Sequence, residues 1–330
     1  MICSATATLP STLSKNSGSD RFYLISGSAH VALAQDIAHS LGINLIPTIR
    51  KQFADGEIYV QIQESIRGGD VYLIQPTCQP VNDRLMELMI MIDACRRASA
   101  RQITAVLPYY GYARADRKAA GRESITAKLV ANLLAEAGAD RVIAVDLHSA
   151  QVQGFFDIPL DHIYGSPVLV DYIRNKQLSN VVVVSPDVGG VARARGFAKK
   201  LNDAPLAIVD KRRQAHNCAE VMNVIGDVRG KTAILVDDMI DTAGTITEAA
   251  KLLRQEGAQQ VFACATHAVL SPPAIERLAS GCLEEVIVTN TIPIPDEKRF
   301  PQLTVISIAD FLGEAIFRIH TESSISSLFC

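Results

Sequence analysis

Short apolar runs alternate with helical patterns from residue 21 onward, and this alternation most strongly constrains the fold. The runs at residues 142–145, 181–184 and 233–236 are nearly continuous in apolar residues, which is typical of strands covered on both faces in parallel sheets. Between such runs, apolar residues recur at helical spacing, as at residues 82–98 and 245–256. The order therefore predicts an α/β fold with mainly parallel sheets flanked by helices.

The length of the chain predicts two domains of similar size. A chain of 330 residues fits two domains of about 100–200 residues each. The turn-forming stretch at 164–167 predicts a boundary between an N-terminal domain at 21–164 and a C-terminal domain at 165–330. The last helix, at 311–320, could pack back on the N-terminal domain. Residues 1–20 are rich in Ser and Thr and are predicted to be a disordered leader, with a short transit peptide as the weaker alternative.

Composition narrows the class of protein. The net charge of -3 argues against a protein built mainly to coat nucleic acid, but it allows a local basic pocket. No apolar run approaches the ~20 residues that span a bilayer. The seven cysteines include no CxxC pair, so neither a disulfide framework nor a zinc ribbon is expected. A reducing, cytoplasmic compartment is predicted.

Polar clusters follow four of the predicted strands. In open α/β sheets, ligands bind beyond the carboxyl ends of the strands, so these clusters predict a functional site. The four clusters are Asp146-Leu147-His148, Ser185-Pro186-Asp187, Asp210-Lys211-Arg212-Arg213 and Asp237-Asp238.

The segment between the strand at 233–236 and the helix at 245–256 predicts a phosphate site. A helix start offers free N–H groups and the positive end of the helix dipole, which suit a phosphate monoester. Gly244 permits close approach, and Thr242 and Thr245 add hydroxyl groups. Asp237 and Asp238 could accept hydrogen bonds from sugar hydroxyls or bind a cation. The alternative is an ordinary N-cap with a solvated acidic loop.

Several motifs together resemble one enzyme family. Residues 146–156, DLHSAQVQGFF, resemble the signature of the ribose-phosphate diphosphokinases, and residues 53–57, 108–114 and 210–213 match the same family. Residues 236–245 resemble the phosphoribosyl pyrophosphate-binding loop of the type I phosphoribosyltransferase fold. The resemblance runs from about residue 21 to the C-terminus and implies two phosphoribosyltransferase-type domains. It also implies that the anomeric hydroxyl of ribose 5-phosphate attacks the β-phosphorus of ATP, so that a pyrophosphoryl group moves and AMP leaves.

The resemblance implies a role for each matching residue. The ribose 5-phosphate site comprises Asp237, Asp238, Asp241, Thr242, Ala243, Gly244 and Thr245. The catalytic residues, which bind the charge developing on the phosphates, are Lys211 and Arg213. The ATP site comprises Phe53, Asp55, Gly56, Glu57 and Arg114. The ligands of Mg²⁺, an ion expected to be coordinated mainly by water, are His148 and Asp187.

Plainer interpretations and two departures from the family pattern stand beside these roles. A Lys-Arg-Arg run is usually a solvated basic turn, and residues 55–57 could be a simple hairpin turn. A single His after a strand, such as His148, is more often a hydrogen-bonded loop residue. Residues 214–216 replace a Pro and a further basic residue, and Ala115 replaces a Gln. The effects of these departures on the catalytic loop and on one ATP contact stay open.

The resemblance also implies regulation and assembly. An allosteric anion site between subunits, where phosphate activates and ADP inhibits, would include Ser65, Arg67, Arg97, Ser99, Ser324 and Ser326. Ordinary surface polarity is the alternative. A homohexamer is expected, with neither nucleic acid nor membrane as a partner. Two other functions are a non-catalytic regulator, which the presence of the catalytic-loop residues disfavours, and a phosphoribosyltransferase, which leaves residues 53–57 unexplained.

Overall fold

The computed structural model describes residues 21–212 and 221–329, and the chain divides into two compact units. The first unit combines Met1–Ile163 with Ala309–Cys330, and the second unit is Tyr164–Ile308. The predicted leader at 1–20 lies outside the described residues. Within the described ranges, no helix is long and apolar enough to cross a bilayer.

The first unit contains a parallel sheet and a separate hairpin. Its sheet has the order β1-β4-β5-β6-β7 with parallel neighbours, and β2 pairs antiparallel with β3. The elements that precede the second unit are β1 (Phe22–Ser26), α1 (Val31–Ser40), β2 (Thr48–Gln52), β3 (Ile58–Ile62), β4 (Asp70–Ile74), α2 (Val81–Arg97), β5 (Gln102–Leu107), α3 (Thr126–Ala137), β6 (Arg141–Val145) and β7 (Leu160–Ile163). A short 3-10 helix, Ala150–Phe155, connects β6 to β7.

The core of the first unit lies where α2 and α3 pack against the sheet. Leu88 and Ile92 of α2 and Val130 of α3 are fully or almost fully buried in one cluster with the strand residues Leu73 and Ala105. The buried residues of α2 recur at helical spacing, so one face of the helix packs on the sheet; this face includes the buried Glu87.

The second unit contains one seven-stranded sheet. The sheet has the order β10-β9-β8-β11-β12-β13-β14, in which β10 is antiparallel to β9 and the other pairs are parallel. Its elements are α4 (Ser166–Asn175), β8 (Val181–Ser185), α5 (Val191–Lys200), β9 (Leu206–Arg212), β10 (Val221–Ile225), β11 (Thr232–Ile240), α6 (Gly244–Gln255), β12 (Gln260–Ala268), α7 (Ala274–Leu278), β13 (Glu285–Thr289) and β14 (Leu303–Ile306). The predicted α/β class with mainly parallel sheets is confirmed.

The helix α8 (Ala309–His320) follows the second unit in the chain but belongs to the first unit, where it packs on α1. Leu33 and Ile37 of α1 and Leu312 of α8 are fully buried. Gly313 lets the two helices approach closely, because a Cβ at this position would lie 2.8 Å from Ser40 Oγ. The first unit is therefore built from two separate segments of the chain.

Candidate active site

Three of the predicted clusters lie on neighbouring strands of the second unit. In the sheet order, β8 stands between β9 and β11. Lys211 lies in β9, Asp237 lies in β11, and Asp187 lies in the loop that follows β8. Lys211 was predicted to follow its strand, but it lies within β9 because β10 turns back and pairs with it, opposite Met222. Arg213 and residues 214–216 lie outside the described residues.

The carboxylates of Asp237 and Asp238 face one guanidinium group. Arg193 Nη1 lies 3.1 Å from Asp237 Oδ1 and 3.3 Å from Asp238 Oδ1, and the backbone N–H of Asp238 donates to Asp237 Oδ1 at 2.8 Å. Asp238 is buried, with 2% of its surface exposed. Burial, followed by the neighbouring Asp238, raises the pKa of Asp237 to about 8, and Arg193 opposes the shift. The guanidinium group of Arg193 therefore favours the ionised form of a carboxyl group whose pKa burial raises.

Sequence reasoning missed Arg193. The residue lies in the first turn of α5, where the pattern Arg193-Ala194-Arg195 is typical of a solvated helix face. Its two acidic partners lie 44 and 45 positions further along the chain, and only the pairing of β8 with β11 brings them close. The one available signal was a basic residue soon after a strand end already considered polar.

The loop at 241–245 leads into α6 without a side-chain cap. The helix begins at Gly244, and the N-cap position is Ala243, whose backbone is left-handed with φ 60°. Because no side-chain capping bond is made at this end, the predicted alternative of an Asp or Thr N-cap does not occur there. Arg277 of α7 donates from Nη1 to the carbonyl oxygen of Thr242 at 2.9 Å. The helix start keeps the features that suit an anion: backbone N–H groups, a small residue and the positive end of the dipole.

Asp187 lies in a tight loop between β8 and α5. The backbone N–H of Gly190 donates to Asp187 Oδ1 at 2.8 Å, and Ser185 Oγ donates to the carbonyl oxygen of Asp187 at 2.7 Å. Gly190 is needed for this close packing, because a Cβ there would lie 2.9 Å from Ser185 Oγ. The loop thus fixes the direction of the Asp187 carboxylate.

His148 follows β6 in the first unit, within the eleven-residue signature. Asp146 has a positive φ of 35°, and the backbone N–H of Leu147 donates to His162 Nε2 of β7 at 3.0 Å. Ser149 Oγ donates to Asp116 Oδ2 at 2.5 Å. These bonds hold the loop on both sides of the half-buried His148. A side chain placed in this way can accept or donate at a defined position.

The hairpin between β2 and β3 carries the predicted adenine site. Phe53 N–H donates to the carbonyl oxygen of Glu57 at 2.8 Å, and Gly56, with φ 95°, closes the turn by donating to the carbonyl oxygen of Phe53 at 2.9 Å. The backbone N–H of Glu57 donates to Asp55 Oδ1 at 3.1 Å. The hairpin-turn interpretation of residues 55–57 therefore describes the backbone correctly. The Phe53 ring nevertheless remains 53% exposed, which leaves one face available for stacking.

Arg114 lines a cavity of about 440 Å³ at the start of α2. Tyr112, Asn82 and Ala115 also line it, and Phe53 does not. The residues of the predicted ATP site thus fall into two places in the first unit, the hairpin and this cavity. Ala115 contributes no polar group to the wall, as its substitution for Gln predicted.

The predicted allosteric residues are only partly brought together. Arg67 Nη1 donates to Ser99 Oγ at 3.1 Å, so these two form one polar patch. Arg97 instead donates from Nε to Asp93 Oδ2 at 2.7 Å on the exposed face of α2. Near the C-terminus, the backbone N–H of Ser326 donates to Ser324 Oγ at 3.3 Å. Ser65 is exposed.

Comparisons with known proteins agree over the whole chain. A family model for the N-terminal domain of ribose phosphate pyrophosphokinase matches residues 22–138, and a model for the phosphoribosyl synthetase-associated domain matches residues 212–330. The ribose-phosphate pyrophosphokinase of Synechococcus elongatus is 75% identical over 330 residues and 100% of both chains. The chloroplastic ribose-phosphate pyrophosphokinase 1 of Arabidopsis thaliana is 67% identical over 96% of this chain and 79% of its own length. The crystal structure of phosphoribosylpyrophosphate synthetase from Mycobacterium smegmatis is 49% identical, covers 92% of this chain and 100% of its own, and superposes with a TM-score of 0.87.

These findings define the class first: an α/β protein with two phosphoribosyltransferase-type domains. The chain belongs to the ribose-phosphate pyrophosphokinase family. The predicted family, enzyme class and reaction are therefore confirmed, the reaction being pyrophosphoryl transfer from ATP to ribose 5-phosphate with formation of phosphoribosyl pyrophosphate and AMP. The non-catalytic regulator and the simple phosphoribosyltransferase are correspondingly disfavoured.

Proposed function

We propose that the segment from β11 to α6 binds ribose 5-phosphate. Asp237 and Asp238 accept hydrogen bonds from the ribose hydroxyls, and the loop Asp241, Thr242, Ala243, Gly244 and Thr245 holds the 5-phosphate. One observation carries this assignment: α6 starts without a side-chain cap three residues after β11, a strand that carries the acidic pair near its carboxyl end. Uncapped N–H groups favour the dianionic phosphate, whereas carboxylates repel it and instead prefer hydroxyl donors. The two ends of the segment therefore fix the orientation of the sugar.

ATP binds to the hairpin and to the cavity at the start of α2. The exposed ring of Phe53 stacks on adenine, and the carboxylates of Asp55 and Glu57, on either side of Gly56, accept from its amino group. Arg114 pairs with the phosphates, since a guanidinium group binds phosphate oxygens in a two-pronged geometry. The support for this division is the exposure of the Phe53 ring and the position of Arg114 in a cavity wall.

Mg²⁺ is the proposed cofactor, with His148 and Asp187 as its protein ligands. The described residues contain no group of three His, Cys, Asp or Glu side chains that could hold a metal ion. This donor set fits an ion that keeps most of its water and substrate oxygens, as Mg²⁺ commonly does. The Asp187 carboxylate, oriented by Gly190, is the hard oxygen donor that Mg²⁺ prefers. When bound, Mg²⁺ neutralises phosphate charge during transfer.

Lys211 and Arg213 are the proposed catalytic residues. Pyrophosphoryl transfer needs positioning and charge neutralisation more than covalent catalysis. Lys211 lies near the end of β9, the strand next to β8, whose following loop carries Asp187. Both residues bind negative charge on the transferring phosphates as the 1-hydroxyl of ribose 5-phosphate attacks the β-phosphorus of ATP.

Regulation and assembly are part of the proposal. Phosphate activates and ADP inhibits at a site that includes the Arg67–Ser99 pair, because an Arg and a hydroxyl group together suit a phosphate group. The proposed assembly is a homohexamer, and the proposed location is the cytoplasm. Cys95 and Cys264 are buried thiols, which a reducing compartment preserves.

Product analysis tests the reaction and the site together. Purified protein with ATP, ribose 5-phosphate, Mg²⁺ and phosphate should form AMP, and omission of ribose 5-phosphate should stop it. Replacing Asp237 by Asn should raise the KM for ribose 5-phosphate and leave the KM for ATP near its original value. ADP as the main product would refute pyrophosphoryl transfer. An unchanged KM for ribose 5-phosphate would remove Asp237 from the sugar site.

A further inference from the structure

Arg193 is the cation that contacts both acids of the proposed sugar site. Its Nη1 lies 3.1 Å from Asp237 Oδ1 and 3.3 Å from Asp238 Oδ1, so a single nitrogen bridges two consecutive carboxylates. The side chain is 27% exposed, while the side chain of Asp238 is only 3% exposed. This arrangement is more enclosed than an ordinary surface ion pair, which contributes little.

The two carboxylates would repel each other without Arg193. They are adjacent in sequence, and the backbone N–H of Asp238 bonds to Asp237 Oδ1 at 2.8 Å, which holds the two groups together. Two close, buried carboxylates tend to share a proton: burial and the neighbouring Asp238 raise the pKa of Asp237, and Arg193 lowers it. A protonated carboxyl would offer a donor where the sugar hydroxyl needs an acceptor.

The position of Arg193 in the chain links it to a second part of the proposed site. It lies in the first turn of α5, directly after the tight loop that orients Asp187. A Cβ at Gly190 would lie 3.8 Å from Arg193 Nη1, so the guanidinium group rests close to the backbone of that loop. One short segment therefore carries both the proposed metal ligand and the cation that contacts the sugar acids.

We propose that Arg193 is a positioning residue for ribose 5-phosphate: its guanidinium group holds the side chains of Asp237 and Asp238 side by side and directs their oxygen atoms as acceptors of the ribose hydroxyls. Arg193 acts through the two acids and contacts no reacting atom in this scheme. The inference rests on the proposed sugar site and deepens it. It assigns the discrimination among sugar phosphates partly to a residue outside the β11–α6 segment.

The experiment compares three variants of the full-length enzyme. Arg193→Gln removes the positive charge, and Arg193→Lys keeps the charge but lacks the planar set of N–H donors of a guanidinium group. Arg195→Gln is the matched control on the exposed face of the same helix. For each variant, the KM values for ribose 5-phosphate and for ATP are measured, together with kcat/KM for ribose 5-phosphate and for 2-deoxyribose 5-phosphate. Thermal melting of the ligand-free protein reports whether the fold is intact.

Arg193→Gln should raise the KM for ribose 5-phosphate about 10- to 100-fold, the range for losing a charged hydrogen bond at a binding site. The KM for ATP should change by less than about twofold, on the expectation that ATP binding does not use the acidic pair. The ratio of kcat/KM for ribose 5-phosphate to kcat/KM for 2-deoxyribose 5-phosphate should fall, because carboxylates that are no longer held in position accept hydrogen bonds from the ribose hydroxyls less well. Arg193→Lys should recover part of the affinity, and Arg195→Gln should behave like the wild-type enzyme.

Two results would overturn the inference. An equal rise in both KM values, or an unchanged sugar preference in a folded Arg193→Gln variant, would show that Arg193 has a general structural role. If Arg193→Gln fails to fold, Arg193→Lys provides the test: its preference for ribose 5-phosphate over the 2-deoxy analogue must then be lower than that of the wild-type enzyme. The variant Asp237→Asn distinguishes a failure of the proposed sugar site from a failure of the role proposed for Arg193. If Asp237→Asn leaves the KM for ribose 5-phosphate unchanged, the proposed sugar site is wrong. If Asp237→Asn raises this KM but Arg193→Gln does not, only the role proposed for Arg193 is wrong.

Discussion

The buried carboxylate of Glu87 joins three parts of the first unit, and its removal should destabilise that unit strongly. Its side chain, on α2, is 3% exposed. It accepts from the backbone N–H of Ser28 at 2.8 Å, from Gln75 Nε2 at 2.9 Å and from Arg84 Nη1 at 3.3 Å. These donors belong to the loop after β1, the residue after β4 and α2 itself. Glu87→Ala would remove this acceptor from all three donors, although Gln75 Nε2 also donates to the carbonyl oxygen of Arg84 and Arg84 Nη1 also donates to Ser28 Oγ.

The size of the effect follows from what is left behind. Breaking a buried ion pair by removing one partner costs about 3–5 kcal/mol. The Arg84 side chain is 26% exposed, so water can solvate it in part, and we expect about 2–4 kcal/mol. For a unit of this size, 1 kcal/mol shifts the melting temperature by about 2–4 °C. The melting temperature of Glu87→Ala should therefore fall by about 4–16 °C.

Calorimetric melting of the ligand-free protein measures this effect. Glu136→Ala provides the control, because Glu136 is an exposed residue on α3 and its loss should change the melting temperature by less than about 2 °C. Glu87→Gln should lie between the two, since it keeps one acceptor oxygen but loses the charge that faces Arg84. If Glu87→Ala melts within 2 °C of the wild-type protein, the network does not stabilise the first unit and the reasoning is refuted.

Three further predictions concern the proposed substrate sites. The raised pKa of Asp237, about 8 against 3.8, means that its ionisation costs stability as the pH rises between these values, so Asp237→Asn should melt above wild type at pH 8 and level with it near pH 4. Gly244→Ala would place a Cβ 3.2 Å from Arg277 Nη1 and disturb its bond to the carbonyl oxygen of Thr242; the KM for ribose 5-phosphate should rise about tenfold with little change in melting temperature. Phe53→Leu should raise the KM for ATP about 3- to 10-fold, since ring stacking is worth about 1 kcal/mol, and an unchanged KM would remove Phe53 from the adenine site.

The central strands could be predicted from the sequence because strands that are covered on both faces form continuous apolar runs. Strands β8 and β11 are buried on both faces, and the apolar runs predicted at 181–184 and 233–236 lie inside them. The end of β8 was predicted to within one residue, whereas β11 continues to Ile240 and includes Asp237 and Asp238, which were predicted to follow it. In contrast, β2 has the sequence TIRKQ, which is half-buried or exposed at every position. Nothing in that segment is periodic, and its strand geometry comes from pairing with β3. The sequence therefore indicated the hairpin turn but not the strand β2.

The sequence could suggest site residues where they are consecutive, but not where a proposed role depends on contacts between distant residues. The loop from Asp241 to Gly244 is local, so its composition and its place before a helix were enough to suggest phosphate binding. Arg193 could not be recognised, because its role depends on how β8 pairs with β11. Lys211 was placed after its strand because the antiparallel return of β10, which extends β9, leaves little pattern in the sequence.

The packing of α8 on α1 has a consequence for how the protein is made. During translation, α1 is synthesised among the earliest elements, whereas α8 is synthesised only after the whole second unit. Until then, the surface of α1 that packs on α8, including the end near Ser40 and Leu41 that lies beside Gly313, has no permanent cover. Part of the core surface of the nascent N-terminal segment consequently stays accessible to chaperones or to other chains until the second unit and α8 have been synthesised. A premature stop after Ile308 would make this temporary exposure permanent.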